Sequence, residues 1–518
     1  MIITNSSGTF QGSKVNGQVT EFLGIQYATA NRFCEPVDIK KYESVVDATN
    51  YGPQSPQVPG FMEEILKTKD LPTSEDCLYL NIWAPTNPSK LLPVLFWIHG
   101  GAYTNGTAAT SWYNGTNLVQ LGDVVLVSAN YRLGPFGFIG EDNFGTLDQI
   151  SALRWVNRNI KSFGGDPDNV TIFGESAGGS SVVALTSSPL TKGLISKAWA
   201  MSPSLRQLRT RAEAEEGKQK FLNAAKCTSV DELKSLTTQQ IIDATAQMFV
   251  DVENYISTFT PTRGGSALPE DVYSASAKSQ IPLIIGTNRD ENRLWSVINP
   301  PETVVDEFVA KEYLAKALPY RSTEAWNIYT RLRGHDARPS RIYSFLICLR
   351  SRPKPTNQFS RITIQNRVQR FKVVYQQLRT RQSPIEIVSS MQTDQGFRAP
   401  AWQLCENRSN AAAPTWMYWF TWPTPIFDGV LGCCHGLDLP FMFNNLDKPN
   451  VDLFTGKNPN RQQISDNFTS ELLNFAKTSL VSWPKYEISD RATLRIDQEV
   501  EVLYDPESEI RELWSLQQ

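Results

Sequence analysis

Histidine is scarce in this chain, and the sequence features that would indicate a metal-binding or nucleic-acid-binding protein are weak or missing. Only 3 of its 518 residues are histidine. No His/Cys/Asp cluster has the spacing of metal ligands, so neither a metal nor an organic cofactor is implied. Lysine and arginine number 50 against 53 aspartate and glutamate, a balance that creates no basic field for nucleic acid. The composition therefore favours a small, neutral or apolar molecule as the partner.

Long apolar runs are also missing. No stretch approaches the ~18 uninterrupted apolar residues of a membrane-spanning helix, and residues 1–12 lack the basic start and apolar core of a signal peptide. The seven cysteines are an odd number, and the adjacent Cys433 and Cys434 have a poor geometry for bridging each other. We therefore expect a cytoplasmic protein, monomeric or weakly self-associating, with no membrane partner and mostly reduced thiols. A single bridge between Cys34 and Cys77 stays open.

Short apolar runs alternate with longer helix-like segments, which is typical of a mostly parallel sheet covered by helices. Four runs are rich in Val, Ile and Leu: 92–98, 123–130, 170–174 and 281–286. Such near-continuous runs predict strands buried on both faces, with function at their carboxyl ends. Residues 147–163 have helical spacing and predict a crossover helix, for which Thr146 and Gln149 form a capping-box signature. The predicted fold class is α/β.

One segment departs from this pattern. Residues 335–382 contain nine Arg and two Lys but one acid, Asp336, and the run Arg-Pro-Lys-Pro at 352–355 breaks any regular element. We interpret the segment as a basic surface insertion in a single domain that covers residues 1–518. The alternative that it disturbs the wall of the functional site stays open.

A candidate nucleophile lies in the sequence Gly-Glu-Ser-Ala-Gly at 174–178. It matches the Gly-x-Ser-x-Gly pattern, and it follows a strand-like run and precedes a small-residue, helix-compatible run. The two glycines let the backbone turn sharply where a side chain would collide with the neighbouring strand and helix. The pattern predicts Ser176 at a helix N-terminus, where N–H groups stabilise developing negative charge.

A serine nucleophile needs a base, and imidazole suits the role near neutral pH. His99 lies in Ile-His-Gly-Gly-Ala at 98–102, directly after a predicted strand and before the serine, which is typical of an oxyanion loop. His335 opens the basic segment. His435 lies in Gly-Cys-Cys-His-Gly at 432–436, late in the chain as the order Ser, acid, His requires. Elimination therefore favours His435 as the base.

The acid that orients the imidazole should follow a sheet strand between the serine and the histidine. Asp290 and Glu291 both follow the run at 281–286, and spacing does not choose between them. Charge on an ester carbonyl oxygen also requires aligned donors. The backbone N–H groups of Gly101, Ala102 and Ala177 are the candidates for this oxyanion hole.

Taken together, these motifs resemble the type-B carboxylesterase and cholinesterase family, most closely the bacterial para-nitrobenzyl-esterase-like carboxylesterases. The similarity includes residues 22–28, 74–81 (which begin Ser-Glu-Asp-Cys), 97–103, 130–134, 163–179, 286–291 and the His435 segment. It implies an α/β-hydrolase fold with a deep gorge leading to the serine, and it assigns the acid role to Glu291. It also implies a supporting electrostatic role for Glu175 and a structural ion pair between Arg32 and Glu75.

The chain departs from the family pattern at several points. Asn292 stands where Asp-Glu-Gly is usual, and Ala102 is the third residue of the glycine run. No tryptophan occurs from 51 to 82, so choline specificity is not expected, and Ser55 replaces an expected cysteine.

The sequence thus predicts a hydrolase of short to medium acyl or aryl esters that acts through an acyl-enzyme. The alternatives are a long-chain lipase, an amidase, or a silent binding protein of the same fold.

Overall fold

The computed structural model describes residues 1–60, 71–251, 258–298, 305–333 and 383–515. In these residues, three sheets contain the following strands: β1 (Ile2–Asn5), β2 (Gly8–Gln11), β3 (Ser13–Lys14), β4 (Val19–Gln26), β5 (Ala28–Thr29), β6 (Val37–Asp38), β7 (Val46–Asp47), β8 (Tyr79–Pro85), β9 (Leu92–Ile98), β10 (Val125–Ala129), β11 (Gly165–Glu175), β12 (Lys197–Met201), β13 (Leu283–Asn288), β14 (Thr415–Phe420), β15 (Ala492–Ile496) and β16 (Val500–Tyr504). The basic segment 335–382 lies outside the described residues.

The largest sheet has eleven strands in the order β16-β15-β14-β13-β12-β11-β9-β10-β8-β4-β3. From β15 to β10 the neighbours pair in parallel, and antiparallel pairs extend both edges. Small sheets join β1 with β2 and β7, and β5 with β6. The parallel centre with antiparallel edges confirms the predicted mostly parallel α/β sheet.

Helices flank this sheet on both faces. Their bounds are α1 (Thr116–Gly122), α2 (Gly134–Phe138), α3 (Phe144–Asn159), α4 (Ala177–Ser187), α5 (Arg211–Ala224), α6 (Val230–Lys234), α7 (Thr238–Asp251), α8 (Val272–Lys278), α9 (Arg293–Ile298), α10 (Glu307–Ala317), α11 (Ser322–Arg333), α12 (Pro384–Thr393), α13 (Ala399–Asn410), α14 (Leu439–Met442), α15 (Asp452–Thr455), α16 (Arg461–Thr478) and α17 (Ser508–Ser515). A π-helical turn, Asp394–Arg398, joins α12 to α13. No helix in the described ranges is long and apolar enough to span a bilayer.

The apolar core is divided between the two faces of the sheet, and β9 shows why. Val94, Phe96 and Ile98 pack into one buried cluster, while Leu95 and Trp97 pack into the other. Successive side chains of a strand point to opposite faces, so a strand covered by helices on both sides needs apolar residues at every position. The four predicted apolar runs accordingly correspond to β9, β10, β11 and β13.

The predicted crossover helix is α3, but its predicted cap is wrong. The helix begins at Phe144, so Thr146 and Gln149 lie inside it, and the preceding Asn143 makes no side-chain cap. Instead, both polar atoms of the Asn143 side chain bond the backbone of Thr262, at 2.8 Å each. Gln149 donates to Ser181 Oγ at 3.1 Å. Tertiary contacts thus use the side chains of Asn143 and Gln149, and neither caps the helix.

Two further expectations about pairs of residues are resolved. Cys34 is exposed, Cys77 is buried, and both are free thiols, so the bridge left open by the sequence is not formed. Arg32 and Glu75 do form an ion pair, with Nε and Oε2 2.8 Å apart.

The carboxyl ends of β9, β11 and β13 meet on one edge of the sheet because these strands run parallel. The loops that leave these ends carry the glycine-rich segment at 100–102, Ser176 and Glu291 respectively. Parallel sheets commonly build their sites at this edge, and the fold therefore brings the predicted residues into one neighbourhood.

Candidate active site

Ser176 occupies a sharp turn between β11 and α4. Its φ of 59° and ψ of −120° are unusual for a residue with a side chain. Its N–H donates to Met201 O at 2.9 Å, and its carbonyl accepts the Ser180 N–H at 2.8 Å. The strained conformation is held from both sides, as is common at functional turns.

The glycines on either side of this turn are required by packing. A Cβ on Gly174 would lie 2.6 Å from the Gly178 backbone and 2.7 Å from Ile98 O. A Cβ on Gly178 would lie 2.0 Å from the same carbonyl oxygen. The helix therefore contacts the neighbouring strand β9 directly, which explains the two fixed positions of the motif.

The glycine-rich loop after β9 packs against the serine turn. A Cβ on Gly100 would lie 2.8 Å from Glu175 O and 3.1 Å from Ser176 Cβ. Gly101 and Ala102 have φ values of 107° and 53°. None of the hydrogen bonds among the described residues uses the N–H of Gly101, Ala102 or Ala177. These three N–H groups therefore have no hydrogen-bond acceptor in the part of the chain that the structure describes.

Glu291 lies in the loop after β13 and is fully buried. Its Oε1 accepts the backbone N–H of Asn288 at 2.7 Å, and its Oε2 lies 2.6 Å from His435 Nδ1. The N–H of His435 also points to Glu291 O at 3.4 Å. The carboxylate is thus fixed on one side by its own loop and bonds the imidazole on the other.

The second ring nitrogen of His435 has a different environment. Nε2 lies 3.0 Å from Glu175 Oε1, but the two atoms lack hydrogen-bond geometry, and both are buried without a bond. In the part of the chain that the structure describes, no hydrogen bond joins Ser176 Oγ to His435. Nε2 is a buried nitrogen with no bond, next to the residue that precedes Ser176.

Two aromatic rings enclose the imidazole. The centroids of Trp295 and Phe397 lie 4.6 Å and 5.0 Å from that of His435. The two rings also stack on each other at 5.6 Å with an interplanar angle of 20°. Trp295 belongs to α9, and Phe397 belongs to the π-helical turn. The rings limit rotation of the imidazole.

Three buried carboxyl groups surround the same ring and compete for protons. Burial lowers the pKa of His435, but Glu175 and Glu291 more than offset this effect and raise it to about 9. Burial raises the pKa of Glu175 to about 8. It also raises the pKa of Asp438 to about 7, with a further contribution from Glu291. The imidazole is therefore held where an added proton is strongly stabilised.

Asp290, the other candidate acid, has a different set of contacts. It is buried, and burial opposes its ionisation, yet the guanidinium groups of Arg289 and Arg293 hold its pKa well below the usual range. Its Oδ2 accepts the N–H of Cys433 at 2.8 Å. Asp290 thus joins the acid loop to the segment before His435 and does not contact the imidazole.

His99 is also buried, but it has no carboxylate beside it. Its Nδ1 lies 2.8 Å from Gly100 O, its ring stacks on Tyr131 at 4.5 Å, and burial lowers its pKa to about 4. His335 lies outside the described residues. Of the two histidines that the structure describes, His435 is the one bonded to Glu291.

Several residues near the imidazole were not singled out from the sequence. Asn288 donates through Nδ2 to Cys434 O at 2.8 Å and to Asp438 Oδ1 at 3.2 Å, and Tyr418 donates to Asp438 Oδ2 at 3.2 Å. Trp295 lies four residues after Glu291, a helical spacing that could have indicated a contact. For Phe397 and Tyr418 no local pattern gives such a signal.

Comparison with known proteins shows the family of the chain. The sequence profile described as the carboxylesterase family matches residues 1–513. The chain is 36% identical to the para-nitrobenzyl esterase of Bacillus subtilis (strain 168), over 99% of this chain and 98% of that protein. It is 27% identical to the phenmedipham hydrolase of Pseudarthrobacter oxydans, over 90% and 88%. The chain belongs to the carboxylesterase family and is a carboxylic-ester hydrolase.

Solved structures support the same fold. A thermophilic PNB esterase superposes with a TM-score of 0.78 at 33% identity, and a carboxylesterase of Geobacillus stearothermophilus with 0.79 at 30%. Each comparison covers 99% of both chains. The family and the α/β-hydrolase fold expected from the sequence are confirmed, whereas the deep gorge stays a prediction.

Proposed function

We propose that the chain hydrolyses short to medium acyl or aryl esters through Ser176, His435 and Glu291, with an acyl-enzyme intermediate. The observation that carries this proposal is the bonding of the two ring nitrogens of His435. One ring nitrogen is bonded to a fully buried carboxylate at 2.6 Å, and the other is buried, unbonded and adjacent to the serine turn. A base that is oriented on one side and open on the other is suited to proton transfer.

In the first half of the reaction, Ser176 Oγ attacks the ester carbonyl while His435 Nε2 takes its proton. Glu291 keeps the ring in the orientation that directs Nε2 to the serine and stabilises the imidazolium. The N–H groups of Gly101, Ala102 and Ala177 bond the carbonyl oxygen as it becomes negative. Each such donor contributes about 3 kcal/mol to transition-state stabilisation.

In the second half, the imidazolium protonates the leaving alcohol, which departs. Water then attacks the acyl group on Ser176 while His435 again takes a proton, and the carboxylic acid is released. Glu175 adds a carboxyl group 3.0 Å from Nε2, where it favours the protonated ring during both halves. No step requires a cofactor.

The substrate range is proposed from the surroundings of the site and from the relatives. Trp295 and Phe397 give the histidine side of the site an apolar, aromatic surface, which favours uncharged esters. One relative is named for para-nitrobenzyl esters. We also propose a cytoplasmic protein that is monomeric or weakly self-associating, with residues 1–518 as one domain.

The test is hydrolysis of p-nitrophenyl acetate through p-nitrophenyl decanoate by the wild type and by Ser176→Ala. We expect the variant to lose activity by about 10⁴-fold or more, and the wild type to prefer the shorter esters. Ser187→Ala is a matched control, because Ser187 is the last residue of α4 and its Oγ bonds Val183 O and Val272 O. Undiminished activity in Ser176→Ala would exclude the nucleophile, and a preference for decanoate would favour the long-chain lipase alternative.

An amide panel separates the remaining enzyme alternative. Para-nitroanilides with the same acyl groups should be hydrolysed far more slowly than the esters. Comparable rates would indicate an amidase, and no turnover of either series would indicate a binding protein.

A further inference from the structure

Asn292 directly follows Glu291, and the proposed mechanism leaves its side chain without a role. The sequence departs from the family pattern at this position, where glycine is usual. In the structure the half-buried side chain of Asn292 crosses to α12 and donates through Nδ2 to Gln392 Oε1 at 2.6 Å. The side chain that distinguishes this acid loop thus makes a specific contact with another element.

A second bond joins the same two elements. The backbone N–H of Asn292 donates to Thr393 Oγ1 at 3.0 Å, and Thr393 Oγ1 in turn donates to Ser389 O at 2.9 Å. An ion pair between Arg293 and Glu386 joins the acid loop to the first turn of α12. The end of α12 is therefore bonded to the residue next to Glu291 through both backbone and side chain.

The α-helix α12 ends directly after these contacts. Residues Asp394–Arg398 form a π-helical turn, and such turns often occur at functional positions. Phe397 in this turn lies against the His435 ring, with the centroids 5.0 Å apart, and it stacks on Trp295. The turn thus brings α12 into contact with the imidazole.

These contacts link the two groups that support the imidazole of His435. Glu291 bonds Nδ1 of His435 from one side, and Phe397 packs on the ring from another. The hydrogen bond from Asn292 to Gln392 connects the loop that bears the carboxylate to the end of α12, directly before the π-helical turn that bears the phenylalanine. A change in that bond would therefore move one support of the ring relative to the other.

We propose that Asn292 and Gln392 are positioning residues. Their amide–amide hydrogen bond fixes the π-helical turn against the acid loop and thereby keeps the His435 ring oriented towards Ser176. This inference rests on the proposed Ser176–His435–Glu291 function. Neither residue touches substrate in this assignment. Their effect reaches the reaction through ring orientation, and small misplacements of a catalytic group have large effects on rate.

The experiment compares four variants of the full chain. Asn292→Ala and Gln392→Met each remove the hydrogen bond, and the methionine keeps a side chain of similar volume. Their combination completes a double-mutant cycle. Gln392→Glu is the conservative variant, since its carboxylate still accepts from Asn292 Nδ2. Gln463→Ala is the matched control, because it breaks an exposed Gln–Asn bond of 3.0 Å on α16.

The readouts are kcat and KM for p-nitrophenyl acetate, the thermal midpoint, and the low-field proton signal of the short His435–Glu291 bond. Glu291→Gln identifies that signal by abolishing it. We expect Asn292→Ala and Gln392→Met each to lower kcat about tenfold, which corresponds to ~1.4 kcal/mol, with KM within about twofold. The double variant should be no worse than either single one, and Gln392→Glu and the control should keep wild-type kcat within about threefold.

Three results would overturn the positioning role. The first is unchanged kcat and an unchanged low-field signal in both single variants. The second is multiplied losses in the double variant, which would mean that the residues act independently. The third is a fall in kcat that follows the thermal midpoint and is not restored by Gln392→Glu, which would indicate a structural role only.

Failure of this inference is distinguishable from failure of the proposed function. If the wild type hydrolyses no ester, or if Ser176→Ala keeps full activity, the proposed function is wrong. The low-field signal still reports whether Asn292 and Gln392 orient the ring, because that measurement requires no turnover. If Ser176→Ala is inactive but the positioning variants behave as wild type, only the inference is wrong.

Discussion

His99 and His435 are both buried, and each ring lies against an aromatic ring, yet their pKa values shift in opposite directions. Burial lowers the pKa of His99 to about 4. Burial also acts on His435, but two nearby carboxyl groups raise its pKa to about 9. The stacking distances are nearly the same, 4.5 Å to Tyr131 and 4.6 Å to Trp295.

The difference between the two loops lies in their charged neighbours. The His99 loop is a local turn whose ring bonds the carbonyl of the next residue, Gly100. The His435 loop meets Glu291 from the end of β13 and Glu175 from the end of β11. An imidazole becomes a useful base only when partners from distant segments orient it and stabilise its protonated form.

Exchange of His435 or His99 for glutamine should give the largest difference in kcat between two variants. His435→Gln removes the only group in the proposed site that accepts the Ser176 proton, so we expect kcat to fall about 10⁴-fold or more. In His99→Gln the introduced amide retains an N–H that can reach Gly100 O, so this variant should lower kcat by about tenfold or less. The measurement is steady-state hydrolysis of p-nitrophenyl acetate.

Ser187→Ala serves as the control for general damage to the serine helix in that assay. Equal losses in the two histidine variants would contradict the comparison, because they would mean that the His99 loop contributes as much to the chemistry as the imidazole bonded to Glu291.

The adjacent acids Glu291 and Asp290 also differ in their contacts, because Glu291 bonds the His435 imidazole and Asp290 does not. Glu291→Gln keeps the size but loses the charge that orients the imidazole, so we expect kcat to fall about 10²- to 10⁴-fold. Asp290→Asn removes a buried carboxylate that pairs with Arg289 and Arg293 and accepts the N–H of Cys433, so it should lower the free energy of unfolding by about 3 kcal/mol and change kcat little. Urea unfolding and initial rates measure the two effects.

The opposite pattern, with kcat lost in Asp290→Asn and stability lost in Glu291→Gln, would reverse the two assignments. Rates should be measured well below the unfolding transition of the less stable variant, so that the fraction folded does not enter kcat.

The sequence predicts those parts of the molecule whose cause is local. The strands β9, β10, β11 and β13 were recognisable because burial on both faces requires apolar residues at every position. The turn at Ser176 was recognisable because Gly174 and Gly178 leave room for β9. Each of these features is determined by a few consecutive residues.

Features that depend on tertiary contacts were not predictable in the same way. The cap predicted at Thr146 is wrong because the helix begins earlier, at Phe144, and the Asn143 side chain before it bonds Thr262, which is distant in sequence. Asp290 and Glu291 are equivalent in spacing, and only the contact with His435 separates them geometrically. Phe397 reaches the imidazole through a π-helical turn that no local pattern indicated.

Glu175→Gln removes one of the two carboxyl groups that raise the pKa of His435. The base must be neutral to accept the Ser176 proton, and a carboxylate beside Nε2 favours the protonated ring. Without it the pKa of His435 falls, so the acid limb of the kcat/KM profile should move to lower pH by about one unit. The control is Glu312→Gln on α10, away from the site. An unmoved limb, or a shift to higher pH, would contradict this role.

Asp438→Asn should have the smallest effect on rate and a measurable effect on stability. Burial raises the pKa of Asp438 to about 7 from its ordinary 3.8. A folded-state pKa above the unfolded value gives a contribution that is complete below about pH 4 and lost as the pH rises through about 7. Asparagine does not titrate, so the wild type should lose about 3 kcal/mol more of its unfolding free energy than the variant between pH 4.5 and 8. Urea unfolding at both pH values measures this difference. Parallel losses in the two proteins would show that Asp438 is ionised in the fold at both pH values and that another member of the carboxyl cluster holds the proton.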